Sequence, residues 1–465
     1  MKGSNILIAV IFIVLCLGGW VSIASQKVTQ SNSYDNYIEQ ADAWMGEGLY
    51  QRAIASYKQA LETNSSQELY EKIVYAYQLR YEEAPKETEE EYYDFLEVAV
   101  NTYPAHQEFV DALVEKYYIE SEYLNMYNCL IKAVENGYDN ESIQQKIRMA
   151  RYAFQLRRAE FSGIKQSVEG MYAVSRENLW NTYSLENGYL YTSEYDFVGL
   201  VNEDGIAVVT GTDSRLIDGT GLVLGIFKQK VNEAGVYSEG LIPTCCNGVY
   251  SYYDEFANKQ FGEYEKAGMF QNGLAAVKQN SEWMLVNTNG EIQSEKFTEI
   301  VLDYVGRYVK NETILTLNDN GIYCLYDTEW ELKGQFECDA VDIYTQDGII
   351  AINKGGKWGF VNSIGEIIIE PSYDNAKSFS NGLAAVCKDG LWGFIDPDNN
   401  VVIDYQFSDV GYMSASGVCP VRTDVVEKKI ELKEVVATSE ETKQNIEENL
   451  ETWKMLELEL GIITE

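Results

Sequence analysis

Hydrophobic positions recur three and four residues apart between Tyr34 and Glu160, whereas beyond Phe161 they alternate in short runs broken by Gly, Asn and Asp. The first spacing predicts helices and the second predicts strands. Pro85, Pro104 and Gly137 fall between the helical segments. Ahead of them, residues 6–24 read ILIAVIFIVLCLGGWVSIA, nineteen residues without a charge, preceded by Lys2. A helix of that length rises about 28 Å and can span a bilayer. A cleavable signal has a shorter apolar stretch of about 7–15 residues, so residues 1–25 are expected to be a retained anchor. Ser22-Ile-Ala24 leaves secretion after cleavage as the alternative. Lys2 before the span, against Asp35, Glu39 and Asp42 after it, places the amino end inside and the bulk of the chain on the extracytoplasmic side.

The stretch YIEQADAWMGEGLYQRAIASYKQALETNSS sets Ala41, Trp44, Tyr50, Ala53, Tyr57 and Ala60 where a helix pair of about 34 residues interlocks small and large side chains. It resembles a tetratricopeptide repeat. Ala99 and Pro104 keep that frame in a second pair, and Leu113, Tyr117, Tyr123, Leu130 and Ala133 in a third, so degenerate units cover residues 34–138. A last helix, ESIQQKIRMARYAFQLRRAE, is expected to cap the stack, completing an all-α domain over residues 26–160. Its Arg148, Arg151, Arg157 and Arg158 form either a solvated face or a docking surface for the acidic remainder of the chain or for an anionic envelope component.

In the second half, NGLAAVCKDGLWGFID (381–396), DGIIAINKGGKWGFVN (347–362) and NGLAAVKQNSEWMLVN (272–287) align without a gap. Gly382, Gly348 and Gly273 each stand ten residues before Trp392, Trp358 and Trp283. Thr313 with Tyr323, Gly240 with Tyr250 and, more faintly, Gly188 with Val198 keep the offset, and Gly417 begins a unit lacking the aromatic. Starts at 188, 240, 273, 313, 348, 382 and 417 give a period near 35 with insertions in two units. Three short strands bury too little alone, so neighbouring units must stack. Each Trp is expected to pack on its neighbour over the adjacent glycine, Gly359 or Gly393.

These residues resemble the bacterial WG repeat family, whose G-L-A-x-V and K-W-G-F-I-D motifs stand nearly intact at 348–421. The resemblance implies an all-β repeat domain over residues 161–425 and no shared active site, hence no catalytic residue to carry over. A propeller-like closed array is expected, with an open β array as the alternative. The truncated strand at Gly417 would complete the first blade. Over residues 426–465, Thr438 and Glu441 make a capping box before Ile446, Leu450, Trp453 and Leu460, predicting an acidic amphipathic helix.

Charge and composition narrow the chemistry. Lys+Arg number 36 against 73 Asp+Glu, a net charge of −37, which opposes binding to nucleic acid. The one histidine, His106, excludes sites with two His ligands and reads as a polar helix-end residue. Seven cysteines beyond Cys16 show no C-x-x-C and are expected in small buried slots, with vicinal Cys245 and Cys246 the pair to test for redox behaviour. Asp396-Pro-Asp398-Asn-Asn400 lacks the Gly and distal acid of a calcium loop and reads as a turn. The Gly-rich 211–225 segment lacks a phosphate-loop Lys and reads as an inserted hairpin. No metal or cofactor is called for. Tyr250, Tyr252 and Tyr253 would expose at least one ring by strand alternation, as a possible binding surface.

The expected function is that of a non-enzymatic, membrane-anchored extracytoplasmic protein whose repeats bind or scaffold a protein partner. A module binding envelope polysaccharide is the alternative, and an envelope hydrolase a lesser one.

Overall fold

The computed structural model describes residues 33–423, apart from 169, 344 and 346, and residues 452–460. The expected membrane anchor and the capping box at Thr438 lie outside the described residues. Among the described residues, no helix is long and apolar enough to cross a membrane. The chain divides into two compact units, Met1–Arg151 and Tyr152–Glu465.

Seven helices make up the described part of the first unit: residues 33–46, then Tyr50–Thr63, Gln67–Glu83, Pro85–Thr102, Gln107–Ile119, Tyr123–Glu135 and Glu141–Arg151. Local signals set their ends. Ser66 caps the third helix, its hydroxyl accepting the Leu69 N–H at 3.3 Å, and Pro85 opens the fourth where no amide hydrogen is needed. Ala41, Ala53, Ala60, Ala99 and Ala133 are fully buried, so backbones approach closely at the small positions that the sequence marks. Tyr57, Leu113, Tyr117 and Leu130 fill the space between them. His106 precedes the fifth helix, its Nε2 2.9 Å from Glu71 Oε1 and its ring stacked on Phe109. The capping helix ends at Arg151, nine residues earlier than expected, and Phe154–Leu156 is a strand of the second unit.

The second unit holds eight small antiparallel sheets among the described residues, one more than the seven starts suggested; in chain order the first seven have their strands within residues 163–189, 197–226, 233–264, 266–287, 299–336, 340–373 and 375–407. Sheet seven shows the common plan, with a two-residue innermost strand Asn375–Ala376, then Ala384–Lys388, Leu391–Ile395 and Val401–Phe407. Alternation along the second strand serves two cores. Ala384 and Val386 pack toward sheet six, while Ala385 and Cys387 pack toward sheet eight. Such shared cores join every consecutive pair of sheets. Val418 and Met455 of the eighth sheet then pack with Phe161, Tyr172 and Val174 beside the first, so the array closes into a propeller-like ring.

Closure differs from the expected scheme. Gly417 begins an eighth sheet of its own, Asp409–Val410, Val418–Thr423, Thr452–Leu458 and Phe154–Leu156. Strands from both ends of the unit therefore meet, and Thr452–Leu458 is extended where a helix through Trp453 was expected. The 188 start is also displaced. Gly188 lies in the outer strand of sheet one and Val198 in the innermost strand of sheet two. The true first glycine is Gly170, left-handed at φ +74, with Trp180 ten residues on. Gly205 begins the second unit, so residues 211–225 supply its third and fourth strands and are no insertion.

The glycine beside each Trp has a different role from the one expected. Gly393 alone opposes Asp404, Tyr405 and Gln406, since Trp392 pairs with Phe407 and Phe394 with Ile403. A Cβ there would meet the Ile403 carbonyl oxygen at 2.6 Å. Gly359 makes the same bulge against Glu370, Pro371 and Ser372. Glycine thus admits a bulged outer strand of its own sheet, not a neighbour's indole. Cys324, at the matching place in sheet five, pairs regularly with Gln335, whereas Ser251 in sheet three faces a smaller bulge without glycine, Tyr250 pairing with Tyr264 and Tyr252 with Phe261.

Candidate functional site

The aromatic repeat positions are structural. Trp283 and Trp392 are buried and Tyr323 likewise, while Trp358 is half-buried against the core shared by sheets six and seven. Gly273, Gly348 and Gly382 all sit at positive φ before the second strand, a turn that favours glycine. The tyrosine surface is overturned. Tyr252 is fully buried with its hydroxyl donating to the Gly268 carbonyl at 2.8 Å, Tyr250 is buried, and Tyr253 is half-buried. All three strand neighbours are covered because sheets two and four pack on the two faces of sheet three.

The four arginines do not form one stripe. Arg148 and Arg151 are half-buried on the last helix of the first unit. Arg157 belongs to the ring, where its guanidinium forks onto Glu457 at 2.8 and 3.0 Å and donates to the Leu185 carbonyl at 3.1 Å. Glu457 holds its charge above the ordinary arginine range. Arg158 is exposed beside it. Cys245 and Cys246 face opposite cores, and burial pushes both thiols up, so the pair is held apart and protonated. Asp396 accepts the Asn400 N–H at 2.8 Å in the expected turn. The same side-chain-capped turn recurs at Asp254, Asn287, Asp327 and Asn362.

Sequence reasoning missed the centre of the ring. Val168, Val236, Met269 and Val305 come from four sheets or their loops and touch one another, which places them on its axis. Val305 arrives on an extra turn, residues 303–307, between the innermost and second strands of sheet five. Asp303 builds that turn: its Oδ1 accepts the Val305 and Arg307 N–H groups at 3.0 and 2.8 Å. Its Oδ2 lies 3.5 Å from Lys310 and 3.9 Å from Arg307, with its side chain 1% exposed. Tyr304 beside it stacks on Tyr412 of the eighth sheet, centroids 5.5 Å apart. The Tyr412 hydroxyl donates to Asp342 at 2.8 Å, and burial with that carboxylate raises its pKa far above the phenol range. The long separation between the starts at 273 and 313 is the only signal of this turn in the sequence.

Beside this axial cluster opens a cavity of about 570 Å³. Lys165, Phe197, Glu233, Lys266 and the 303–306 turn line it, brought together by the innermost strands of the first four sheets. Each of these innermost strands is two to four residues long. Lys165 Nζ lies 4.3 Å from the Trp180 ring centroid and 4.7 Å from that of Phe197. The Glu233 carboxylate accepts the Tyr250 hydroxyl. Among the described residues, no cluster of His, Cys, Asp and Glu could hold a metal ion.

Several solved structures are similar to part of this chain. BamB from Moraxella catarrhalis is 10% identical, with a TM-score of 0.46, over 66% of this chain and 98% of that one. The computationally designed Ika8 protein is 12% identical at a TM-score of 0.40, over 58% and 95%. The WD40 beta propeller domain of Doa1 is 14% identical at 0.30, over 53% and 95%. None of the curated proteins matches this sequence. Residues 261–283, 358–392 and 392–424 match the family described as WG containing repeat, so the resemblance read from the Trp and Gly spacing holds over those segments.

Proposed function

We propose that the chain is a non-enzymatic binding or scaffolding protein, held at a membrane by residues 1–25 with its bulk outside, and that the ring presents its surface to a protein partner. One observation carries the protein partner. Leu222 and Ile226 on sheet two are 63% and 55% exposed, and Phe256 on sheet three is 60% exposed. Gly225, between the two sheet-two residues, lies directly against the Phe256 backbone, so all three exposed residues stand where sheets two and three meet on the rim. Exposed large apolar groups gathered in this way suit an interface. The repeat frame supports the reading, because eight shared cores hold the rim rigid and spare the partner an ordering cost. The non-enzymatic reading is supported by the axial carboxylates, since Glu233 is engaged by Tyr250 and Asp303 by its own turn.

The test is affinity capture from intact cells with the full chain as bait, beside the variant Leu222→Ser, Ile226→Ser, Phe256→Ser. A protein enriched by the wild type and lost with the variant supports the proposal. Repeated enrichment of envelope polysaccharide alone, or of nothing, overturns it.

A further inference from the structure

The chain carries two carboxylates for every cation, and among the described residues eight lysines are ion-paired, yet Lys165 and Lys266, which line the same axial cavity, make no ion pair there. The Lys165 ammonium has one long hydrogen bond, 3.4 Å to the Val198 carbonyl, and otherwise faces the Trp180 and Phe197 rings. An ammonium has three donors, so two of them lack a protein acceptor. Burial pushes the Lys165 pKa below the usual lysine range, with Glu233 opposing that shift. Among the described residues Glu233 makes no ion pair with this ammonium, and its carboxylate accepts from Tyr250. Lys266 stands over the far side of that interaction, its Nζ 5.6 Å from the Tyr250 ring centroid. The remaining wall combines apolar Phe197, Leu200, Pro243, Met269 and Val305 with Asn232, Tyr304 and Asp303, whose carboxylate is held by its own turn.

We propose that this cavity binds a small organic anion, its charged group on the Lys165 and Lys266 ammonium groups and its apolar body against Phe197, Pro243 and Met269. The volume, about 570 Å³, suits a ring-sized molecule. A charge-assisted hydrogen bond to an anionic oxygen would supply the acceptors that Lys165 lacks. The chain's acidic surface does not forbid this, because exposed charges beyond about 8 Å are screened at physiological salt whereas a half-buried lysine is not. The proposal rests on reading the ring as a binding module, but on a different surface from the rim patch.

The experiment is a ligand-observed ¹⁹F NMR titration of the full chain with 4-fluorobenzoate, in parallel with neutral 4-fluorobenzyl alcohol. Saturable binding of the benzoate is expected, weaker by about tenfold or more for the alcohol and for Lys165→Met, a loss of about 1.4 kcal/mol. Lys333→Met, an exposed lysine on the outer strand of sheet five, should leave it unchanged. Should Lys165→Met fail to fold by circular dichroism, Lys266→Met is read in its place and should also weaken binding. Equal binding of benzoate and alcohol, equal binding by wild type and the folded lysine variant, or no saturation at any soluble concentration would overturn the proposal. Any of these results leaves capture through the rim patch untouched, so the two readings fail separately.

Discussion

Single residues decide the shape of each outer strand. Gly393→Ala would drive a Cβ to 2.6 Å from the Ile403 oxygen, so thermal unfolding should show a loss of about 1–3 kcal/mol. Cys324→Ala, where the ladder is regular, should cost less. Trp392→Ala should cost about 3–5 kcal/mol, and Trp358→Ala measurably less, because the second indole is only half-buried. Equal melting of the two variants would contradict the packing described. The aromatic was legible from sequence because a fixed offset repeats it. The bulge was not, since a strained approach between two backbones leaves no mark in the hydrophobic pattern beyond a glycine that could serve several purposes.

Elements were legible in proportion to their length. The second and third strands of each sheet, four to six residues long in most units, announce themselves by alternation, whereas the two-residue innermost strands that build the axial cavity are too short to show any period. Met455, Leu456 and Leu458 are all buried because their strand lies between two cores. A strand covered on both faces loses its alternation, which is why the segment read as a helix face. The Arg157–Glu457 fork that joins it to Phe154–Leu156 is partly exposed, so Arg157→Met should destabilise by no more than about 1 kcal/mol in urea unfolding. Removing residues 452–465 should do far more, leaving the edges of Val418–Thr423 and Phe154–Leu156 unpaired and prone to association, visible as higher-order species in gel filtration.

At the scale of the whole molecule, stability should depend on pH through its tyrosines. Burial pushes Tyr191, Tyr308 and Tyr323 to about 12 in the folded ring, above the free value of about 10. Their folded pKa values are raised, so that part of the stability is fully present below pH about 10 and is lost as pH rises toward about 12. Tyrosinate absorbance and near-ultraviolet dichroism should therefore change together in that window. The modular beat of the sequence foretold stacking, but whether eight units close depends on strands some 300 residues apart, which no local pattern encodes. Closure is the central claim, and it is tested by pairing Gln155→Cys with Glu457→Cys, facing partners in neighbouring strands. Their spacing suits a disulfide, so the native protein should form the intramolecular bond readily under mild oxidation and the urea-unfolded protein should not. Two accessible thiols that stay reduced in the folded protein would mean that the array is open.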